Sequence, residues 1–81
     1  MNLLITGGLG YIGAHLSVEL LKMNTRVFIL DDLSNSKLAK KKNIEKLSKK
    51  KITFIRNDLS DYKKIFKILK NNKIDLVFHL A

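Results

Sequence analysis

Short apolar runs alternate with longer amphipathic segments along the whole of this chain. Four runs have the length and the β-branched or aromatic content of strands buried in a parallel sheet. They predict strands at residues 2–6, 26–30, 52–56 and 74–80. Between them, apolar residues recur at the three- and four-residue intervals of one helix face. This spacing predicts helices at residues 11–23, at residues 37–50, and from a cap at Ser60 or Asp61 to about residue 71.

The alternation of strands and helices favours one α/β domain with a parallel sheet of about four strands. Right-handed crossovers between consecutive strands give the strand order 3-2-1-4, with helices on both faces of the sheet. This arrangement is half of a Rossmann-like fold. In the third helix, Tyr62, Ile65, Phe66 and Leu69 have the spacing of a single buried face.

The fourth predicted strand, residues 74–80, is apolar on both faces. We expect His79 to pack in or near the core. The outer edge of the strand lacks the strands that would follow it, and an unpaired apolar edge promotes association between chains. The sequence thus predicts self-association through this strand.

The composition is that of a small globular domain. The chain has 81 residues, of which 46% are hydrophobic and 28% charged, and it contains no cysteine. The missing cysteines exclude a disulfide framework and cysteine-based zinc sites. The first apolar run is too short for a signal peptide or a membrane span. We therefore expect a cytoplasmic protein with no membrane partner.

The net charge of +9 is concentrated in one segment. Only Glu45 opposes the eight lysines of residues 37–51, namely Lys37, Lys40, Lys41, Lys42, Lys46, Lys49, Lys50 and Lys51. Such a cluster can attract nucleic acid or another polyanion. Because the segment has no arginine and no interleaved aromatic residue, its pattern favours a solvated helix face over a nucleic-acid site.

A glycine-rich segment, residues 6–13 (TGGLGYIG), follows the first strand directly. Gly8, Gly10 and Gly13 satisfy the G-x-G-x-x-G spacing, and Gly7, Gly10 and Gly13 satisfy G-x-x-G-x-x-G. Glycine is needed where the turn takes a positive φ, where backbone approaches phosphate, and where helix packs close to strand. Amides at the helix start then face the phosphates. Strand, loop and helix together predict a cradle for the pyrophosphate of a dinucleotide.

Asp31 follows the second predicted strand and lies 18 residues after Gly13. Dinucleotide folds use an acid about 20 residues beyond the glycines to accept the ribose hydroxyls. A carboxylate there repels the extra phosphate of NADP, so NAD is the predicted cofactor. Asp58 follows the third strand at the same edge, and the pattern leaves an adenine contact and a turn or helix cap equally open. His15 and His79 have no metal-ligand spacing, and neither is predicted to be catalytic.

Together these residues resemble the extended short-chain dehydrogenase/reductase family, and within it the UDP-glucose 4-epimerases. The resemblance covers the whole chain. Residues 6–13 match the family's TGGxGYIG, residues 30–36 (LDDLSNS) its LDNLxNS, residues 57–59 (NDL) its GD[IL], and residues 74–81 its fourth strand. Asp32 stands where the family usually has asparagine. The continuation through Asn35 and Ser36 favours the 4-epimerases over other NAD-dependent sugar-nucleotide epimerases and dehydratases.

The resemblance implies that NAD is bound by three groups of residues. The pyrophosphate would lie over the glycine loop and first helical turn, at Gly7, Gly10, Tyr11, Ile12 and Gly13. The adenosine ribose would be held or flanked by Asp31, Asp32, Asn35 and Ser36. The adenine would lie against Asp58 and Leu59, and the rest of the cofactor against Leu80 and Ala81.

In this family, bound NAD takes a hydride from C4 of a UDP-hexose and returns it to the other face, and many members are homodimers. A Tyr-x-x-x-Lys pair and a Ser or Thr supply the acid–base chemistry. This implies an isomerase of galactose metabolism that interconverts UDP-glucose and UDP-galactose. The pair is missing here, because His15 lies four residues after Tyr11 and Phe66 four after Tyr62. We expect an inactive N-terminal fragment that lacks the substrate domain; the alternative is a stand-alone module for NAD or another adenine nucleotide.

Overall fold

The computed structural model describes residues 1–33, 37–58 and 60–80. Their elements follow the predicted order. The strands are β1 (Asn2–Thr6), β2 (Arg26–Asp31), β3 (Thr53–Arg56) and β4 (Leu76–His79). The helices are α1 (Tyr11–Leu21), α2 (Ala39–Ser48) and α3 (Tyr62–Asn71). None of these helices is both long and apolar enough to cross a lipid bilayer.

The four strands form one parallel sheet in the order β3-β2-β1-β4, as predicted. β1 lies between β2 and β4, so that Leu4 is opposite both Phe28 and Val77. Because β1 has a neighbour on each side and helices above and below, Leu3, Leu4 and Ile5 are at most 2% exposed. The parallel arrangement brings the carboxyl ends of all four strands to the same edge of the sheet.

Helices cover both faces of the sheet and enclose two separate cores. The first core, beneath α1 and α2, consists of the buried residues Ile5, Leu9, Leu21, Val27, Ile29, Ile44 and Ile52. The second consists of Leu4, Phe28 and Leu30, against which Ile65, Ile68 and Leu69 of α3 pack. Successive residues of a strand point to opposite faces, which explains why the apolar runs of β1 and β2 are continuous rather than alternating.

The buried face of α3 differs from the predicted one. Tyr62 is 80% exposed and Phe66 is 65% exposed. Ile65, Ile68 and Leu69 make the contacts with the second core instead. The prediction was therefore wrong for the two aromatic residues. A helix that rests on a sheet buries one stripe, and the aliphatic residues occupy it while the aromatics lie on the adjacent flank.

Asp61 begins α3 as its N-cap, one of the two caps that the sequence offers. Its Oδ1 accepts a hydrogen bond from the backbone N–H of Lys64 at 3.2 Å. This is the interaction by which aspartate satisfies a free amide of a first helical turn. α2 ends at Lys49, whose left-handed backbone (φ 58°) breaks the helix.

β4 is half exposed, and the expected placement of His79 was wrong. Leu76 and Val77 are 48% and 44% exposed, and His79 is exposed rather than packed in the core. Phe78 alone among the residues of β4 packs against the first core. The reason is that β4 is an edge strand, and the partly buried side chains of α3 pack against residues of β1 and β2.

Glu45 ties α2 to the start of β3. Its Oε2 accepts the backbone N–H of Ile52 at 2.9 Å, and its Oε1 lies 3.4 Å from Nζ of Lys41. The hydrogen bond from Ile52 and then the charge of Lys41 hold the pKa of Glu45 below its ordinary value of 4.5, against the opposing effect of burial. The pKa of Glu45 is lower in the folded state than in the unfolded state, so its charged form stabilises the fold at pH values above 4.5. The stabilisation is lost as the pH falls through the folded-state pKa.

We expect Glu45→Gln to lower the free energy of unfolding at pH 7 by about 0.5–1.5 kcal/mol, because the amide keeps the shape of the side chain but loses the charge. The difference from the wild type should shrink as the pH falls below 4.5, where the wild-type carboxylate is also neutralised. Urea unfolding at neutral and acidic pH measures both effects.

Glu19→Gln is the matched control for this experiment. Glu19 pairs with Lys22 at the same 3.4 Å, but its side chain is 70% exposed, whereas that of Glu45 is 20% exposed. An exposed pair contributes little, so the control should change the free energy of unfolding by less than about 0.5 kcal/mol. A difference at Glu45 that stays constant on acidification would contradict the assigned cause.

Candidate cofactor site

The predicted site residues meet at the carboxyl edge of the sheet. The glycine loop follows β1, Asp31 ends β2, Asp58 comes after β3 and Leu80 follows β4. The loop is joined to its neighbour strand by a hydrogen bond of 2.8 Å from the N–H of Gly7 to the carbonyl of Leu30. The structure therefore brings the loop and the acid together, as the spacing of residues predicted.

Gly7 turns the chain from β1 into the loop. Its φ of 69° lies in the left-handed region that favours glycine. The loop closes at once, because the N–H of Gly10 donates to the carbonyl of Gly7 at 3.1 Å. Leu9 anchors the loop, since its side chain is completely buried in the first core. This anchor was not predicted, although an apolar residue between glycines was the available signal.

Gly13 allows α1 to pack directly on the loop. A Cβ atom at Gly13 would lie 2.5 Å from the carbonyl oxygen of Gly7 and 2.7 Å from the Cα of Gly8. Both neighbours are backbone atoms, which cannot move aside without moving the loop. No side chain larger than hydrogen therefore fits here.

Gly8 and Gly10 have different surroundings. A Cβ atom at Gly8 would meet Cγ2 of Ile29 at 2.6 Å, so this glycine serves the packing of the loop on β2. At Gly10 the carbonyl oxygen of Gly7 at 3.3 Å is the nearest contact, and the remaining space is open. The structure thus favours the spacing of Gly7, Gly10 and Gly13. Gly7 makes the turn, Gly10 leaves the open face, and Gly13 allows the close packing of the helix.

The first turn of α1 presents backbone amides at this edge. Gly10 is the N-cap, has no side chain to cap the helix, and the first turn contains no acidic residue. The first helical hydrogen bond is donated by the N–H of Ala14 to the carbonyl of Gly10 at 2.8 Å. Tyr11 and Ile12, which lie between them, are 75% and 69% exposed. A helix start of this kind has the amides and the dipole that bind anions.

Asp31 is buried, at 8% exposure, and its carboxylate is held by the backbone on both sides of the site. Oδ2 accepts the N–H of Leu9 in the glycine loop at 3.2 Å, and Oδ1 accepts the N–H of Leu33 at 2.8 Å. Leu33 has a φ of 65°, a strained conformation for a bulky residue that turns its amide back toward Asp31. The carboxylate therefore fixes the glycine loop and the segment after β2 relative to each other.

Asp58 forms a turn, which is one of the two roles that the sequence left open. Its Oδ1 accepts the N–H of Ser60 at 2.9 Å, and its carbonyl accepts the N–H of Asp61 at 3.2 Å. The side chain is exposed, and the helix cap is Asp61. The contact of Asp58 with the adenine stays a prediction.

The remaining predicted positions are only partly described. Asp32 is exposed, and Leu80 is 41% exposed with its N–H bonded to the carbonyl of Thr6 at 3.0 Å. Four of the predicted cofactor residues lie outside the described parts of the chain, namely Asn35, Ser36, Leu59 and Ala81. Their roles stay predictions.

His15 lies on an exposed face of α1, one turn after Tyr11. Its ring meets that of Tyr11 edge to face, with the centroids 4.8 Å apart. Both rings line an open groove of about 210 Å³ between α1 and α2, together with Lys40, Asn43 and Leu47. This placement agrees with the predicted helix-face position of His15.

The sequence model of one family, described as GDP-mannose 4,6 dehydratase, matches residues 4–81. The match extends over both the glycine loop and the four strands. The chain belongs to this family. Membership agrees with the resemblance that the glycine loop, Asp31 and the fourth strand indicated.

Several curated relatives carry the name UDP-glucose 4-epimerase. The protein of Klebsiella pneumoniae is 43% identical over 81 residues, which are 100% of this chain and 58% of that protein. The protein of Bacillus subtilis (strain 168) is 38% identical over 81 residues, which are 24% of its length. The chain thus spans less than two thirds of these relatives.

Solved epimerase structures have the same fold. The UDP-glucose 4-epimerase of Stenotrophomonas maltophila with bound NAD and formylated UDP-arabinopyranose superposes with a TM-score of 0.97 at 36% identity, over 100% of this chain and 24% of that one. The enzyme of Bifidobacterium longum in complex with NAD+ and UDP gives 0.95 at 30% identity, with the same coverage. These matches confirm the Rossmann-like fold and the resemblance to the epimerases that the sequence indicated.

We expect Gly13→Ala to destabilise the chain by about 1–3 kcal/mol or more, because the new methyl group meets backbone atoms of the loop. The loss should appear even though alanine favours a helix over glycine by about 1 kcal/mol. Gly10→Ala is the matched control, since its methyl group would meet a single atom, the carbonyl oxygen of Gly7 at 3.3 Å, and its φ of −70° suits any residue. Urea unfolding compares the two, and equal effects would contradict the assignment of close packing to Gly13.

Proposed function

We propose that this chain is the N-terminal, NAD-holding part of the Rossmann domain of a UDP-glucose 4-epimerase, an NAD-dependent isomerase. One observation carries the proposal: a glycine loop that opens onto uncapped helix amides is bonded to a buried aspartate at the end of the next strand. A dinucleotide needs both features, one for its phosphates and one for its ribose. The similar epimerases with NAD in their structures support the same assignment.

The site fits a pyrophosphate at the start of α1. The open side of Gly10 leaves room for phosphate oxygens, and any side chain there would fill part of that space. The amides of Tyr11 and Ile12 would donate to those oxygens, and the helix dipole would add to the attraction. Gly7 and Gly13 contribute indirectly, by shaping the loop and by bringing the helix close to it.

Asp31 would hold the adenosine ribose and select the cofactor. Its carboxylate is kept in place by the amides of Leu9 and Leu33, so its position is set before a ligand arrives. A fixed negative charge favours the two hydroxyl groups of the NAD ribose and opposes the extra phosphate of NADP. Asp32, Asn35 and Ser36 would flank the same ribose.

The other cofactor contacts follow the order of the strands across the sheet. Asp58 and Leu59, after β3, would lie against the adenine, with the Asp58 turn presenting the segment to it. Leu80 and Ala81, after β4, would line the half of the cofactor farther from the adenine. The ends of β1 and β2 lie between these two groups, where the pyrophosphate and ribose would sit.

This chain would hold the cofactor without supplying the proton transfer. NAD, when bound, supplies the hydride acceptor of the epimerase reaction, and a UDP-hexose is the proposed substrate of the complete enzyme. A Tyr-x-x-x-Lys pair is absent from the 81 residues, so we propose that they have no epimerase activity alone. We also propose a cytoplasmic location, where NAD is available and proteins do not depend on disulfides.

We expect calorimetry to show tighter binding of NAD than of NADP. Asp31→Asn should weaken NAD binding by roughly tenfold or more, since a hydrogen bond to a charged acceptor contributes about 1.5–3 kcal/mol. It should also reduce the preference for NAD over NADP, because the repelling charge is removed.

Asp75→Asn is the matched control for this change, since Asp75 lies at the opposite edge of the sheet and accepts the N–H of Asn2. It should leave the affinity for NAD unchanged. Tighter binding of NADP than of NAD by the wild type would show that the role given to Asp31 is wrong.

We further propose that the chain self-associates through β4. The strand lies at the edge of the sheet, and its residues Leu76 and Val77 are about half exposed. Backbone groups along such an edge can pair with a second chain, and the apolar side chains add area to the contact. The net charge of +9 opposes association, so added salt should strengthen it.

Sedimentation analysis over a range of concentrations should show dimers of the wild type that increase with added salt. Val77→Lys should shift the protein toward monomer, because a charge on an edge strand opposes pairing. Leu47→Lys, at a 70% exposed position of α2, is the control and should leave the association unchanged. A wild type that remains monomeric at high salt, or equal effects of both lysines, would contradict pairing through β4.

A further inference from the structure

The hydroxyl group of Thr6 links β1 to β4 at the carboxyl edge of the sheet. Thr6 is 3% exposed, and its Oγ1 lies 2.8 Å from Nδ1 of His79. The same oxygen accepts the N–H of Leu80 at 3.2 Å, and this N–H also reaches the carbonyl of Thr6 at 3.0 Å. One threonine thus holds two successive residues of the neighbouring strand end.

The partners of the Thr6 hydroxyl group assign the direction of its hydrogen bond to His79. Among the described residues, Oγ1 of Thr6 has two hydrogen-bond partners, the N–H of Leu80, which can only donate, and Nδ1 of His79. A buried hydroxyl group needs an acceptor for its proton, so we assign this role to Nδ1, which places the ring proton on Nε2. This arrangement gives the almost completely buried hydroxyl group of Thr6 both a donor and an acceptor partner.

The cluster lies between two parts of the proposed cofactor site. Thr6 is the last residue of β1, and Gly7 turns the chain directly after it. Leu80 follows β4 and is one of the residues proposed to line the half of NAD farther from the adenine. A displacement of this strand end would therefore change the space for that half, while Asp31 and the adenosine end lie on the other side of β1.

A second side-chain contact joins the same two strands at the opposite edge of the sheet. There the N–H of Asn2 donates to Oδ2 of Asp75 at 2.7 Å, and Nδ2 of Asn2 donates to the carbonyl of Asn72 at 2.8 Å. Both contacts support an edge strand that is otherwise half exposed. They differ in position, since only the contact of Thr6 is next to the glycine loop.

We propose that Thr6 and His79 are positioning residues, which hold the end of β4 in place for the half of NAD that carries the nicotinamide. The inference rests on the proposed function of the chain as an NAD-holding domain. It adds a role for two side chains that need not touch the cofactor. Their effect should therefore appear in the discrimination between NAD and a shorter nucleotide, rather than in nucleotide binding as a whole.

Calorimetry of the purified chain with NAD and with ADP tests this role, because ADP lacks the nicotinamide half. Thr6→Val keeps the shape of the side chain and removes the hydroxyl group. It should weaken NAD binding by roughly threefold to tenfold, the equivalent of one net hydrogen bond, and change ADP binding by less than about twofold. Thr6→Ser restores the hydroxyl group and should restore the wild-type ratio of the two affinities.

The histidine provides an independent pair of variants. His79→Phe removes the acceptor and should reproduce the effect of Thr6→Val. His79→Asn places an amide oxygen near the position of Nδ1 and should keep the wild-type ratio. In nitrogen NMR spectra, the wild-type His79 ring should carry its proton on Nε2, and Thr6→Val should reduce the population of this tautomer.

Asp75→Ala is the control, since it removes the contact between the same strands at the far edge and should leave the ratio of NAD to ADP affinities unchanged. A similar shift for Asp75→Ala would show that Thr6 merely stabilises the fold and would overturn the proposal. An unchanged ratio in Thr6→Val would also overturn it. A wild type that binds ADP and NAD equally well defeats the positioning role alone, whereas one that binds neither rejects the proposed function and this inference with it.

Discussion

The contact between Gly13 and the glycine loop is the constraint on which the candidate site depends. The missing Cβ lets α1 start directly against the backbone of Gly7 and Gly8. The position of the helix start determines where its first amides point, and hence where an anion can bind. Leu9 then holds the loop because its side chain is buried in the core, and Asp31 holds it by accepting a hydrogen bond from the amide of Leu9. A single absent methyl group thus aligns the parts of the cradle.

Much of the fold and of the site could be predicted because the signals for them are local or follow from parallel topology. Apolar runs of strand length and helical spacing identified every element, and right-handed crossovers gave the strand order. Asp31 could be placed beside the glycine loop because parallel strands end at one edge. The sequence could not show which of the two glycine spacings forms the cradle. Only the short distance between a Cβ atom placed at Gly8 and Ile29 shows that Gly8 serves the packing on β2.

The errors concern contacts between elements that are distant in the sequence. Tyr62 and Phe66 have the spacing of a buried face, but periodicity gives the relative angle of residues on a helix and not the part that rests on the sheet. His79 was expected in or near the core, but it is exposed because β4 is an edge strand. The roles of Leu9 and Leu33 in holding Asp31 were also not predicted. Both residues act through their backbone N–H groups, which nearly every residue type has.

The two sides of β1 differ in how they hold the site together. Toward β2, the N–H of Gly7 donates to the carbonyl of Leu30, and the N–H of Leu9 donates to the carboxylate of Asp31. Toward β4, the N–H of Leu80 donates to the carbonyl of Thr6, and the hydroxyl group of Thr6 meets Nδ1 of His79. Each side therefore combines one backbone hydrogen bond with one contact made by a side chain. The side chain toward β2 is a buried carboxylate, whereas the contact toward β4 ends on an exposed histidine of a half-exposed strand. The half of the cradle next to β4 is therefore the less shielded from solvent, and its geometry depends on a threonine and a histidine.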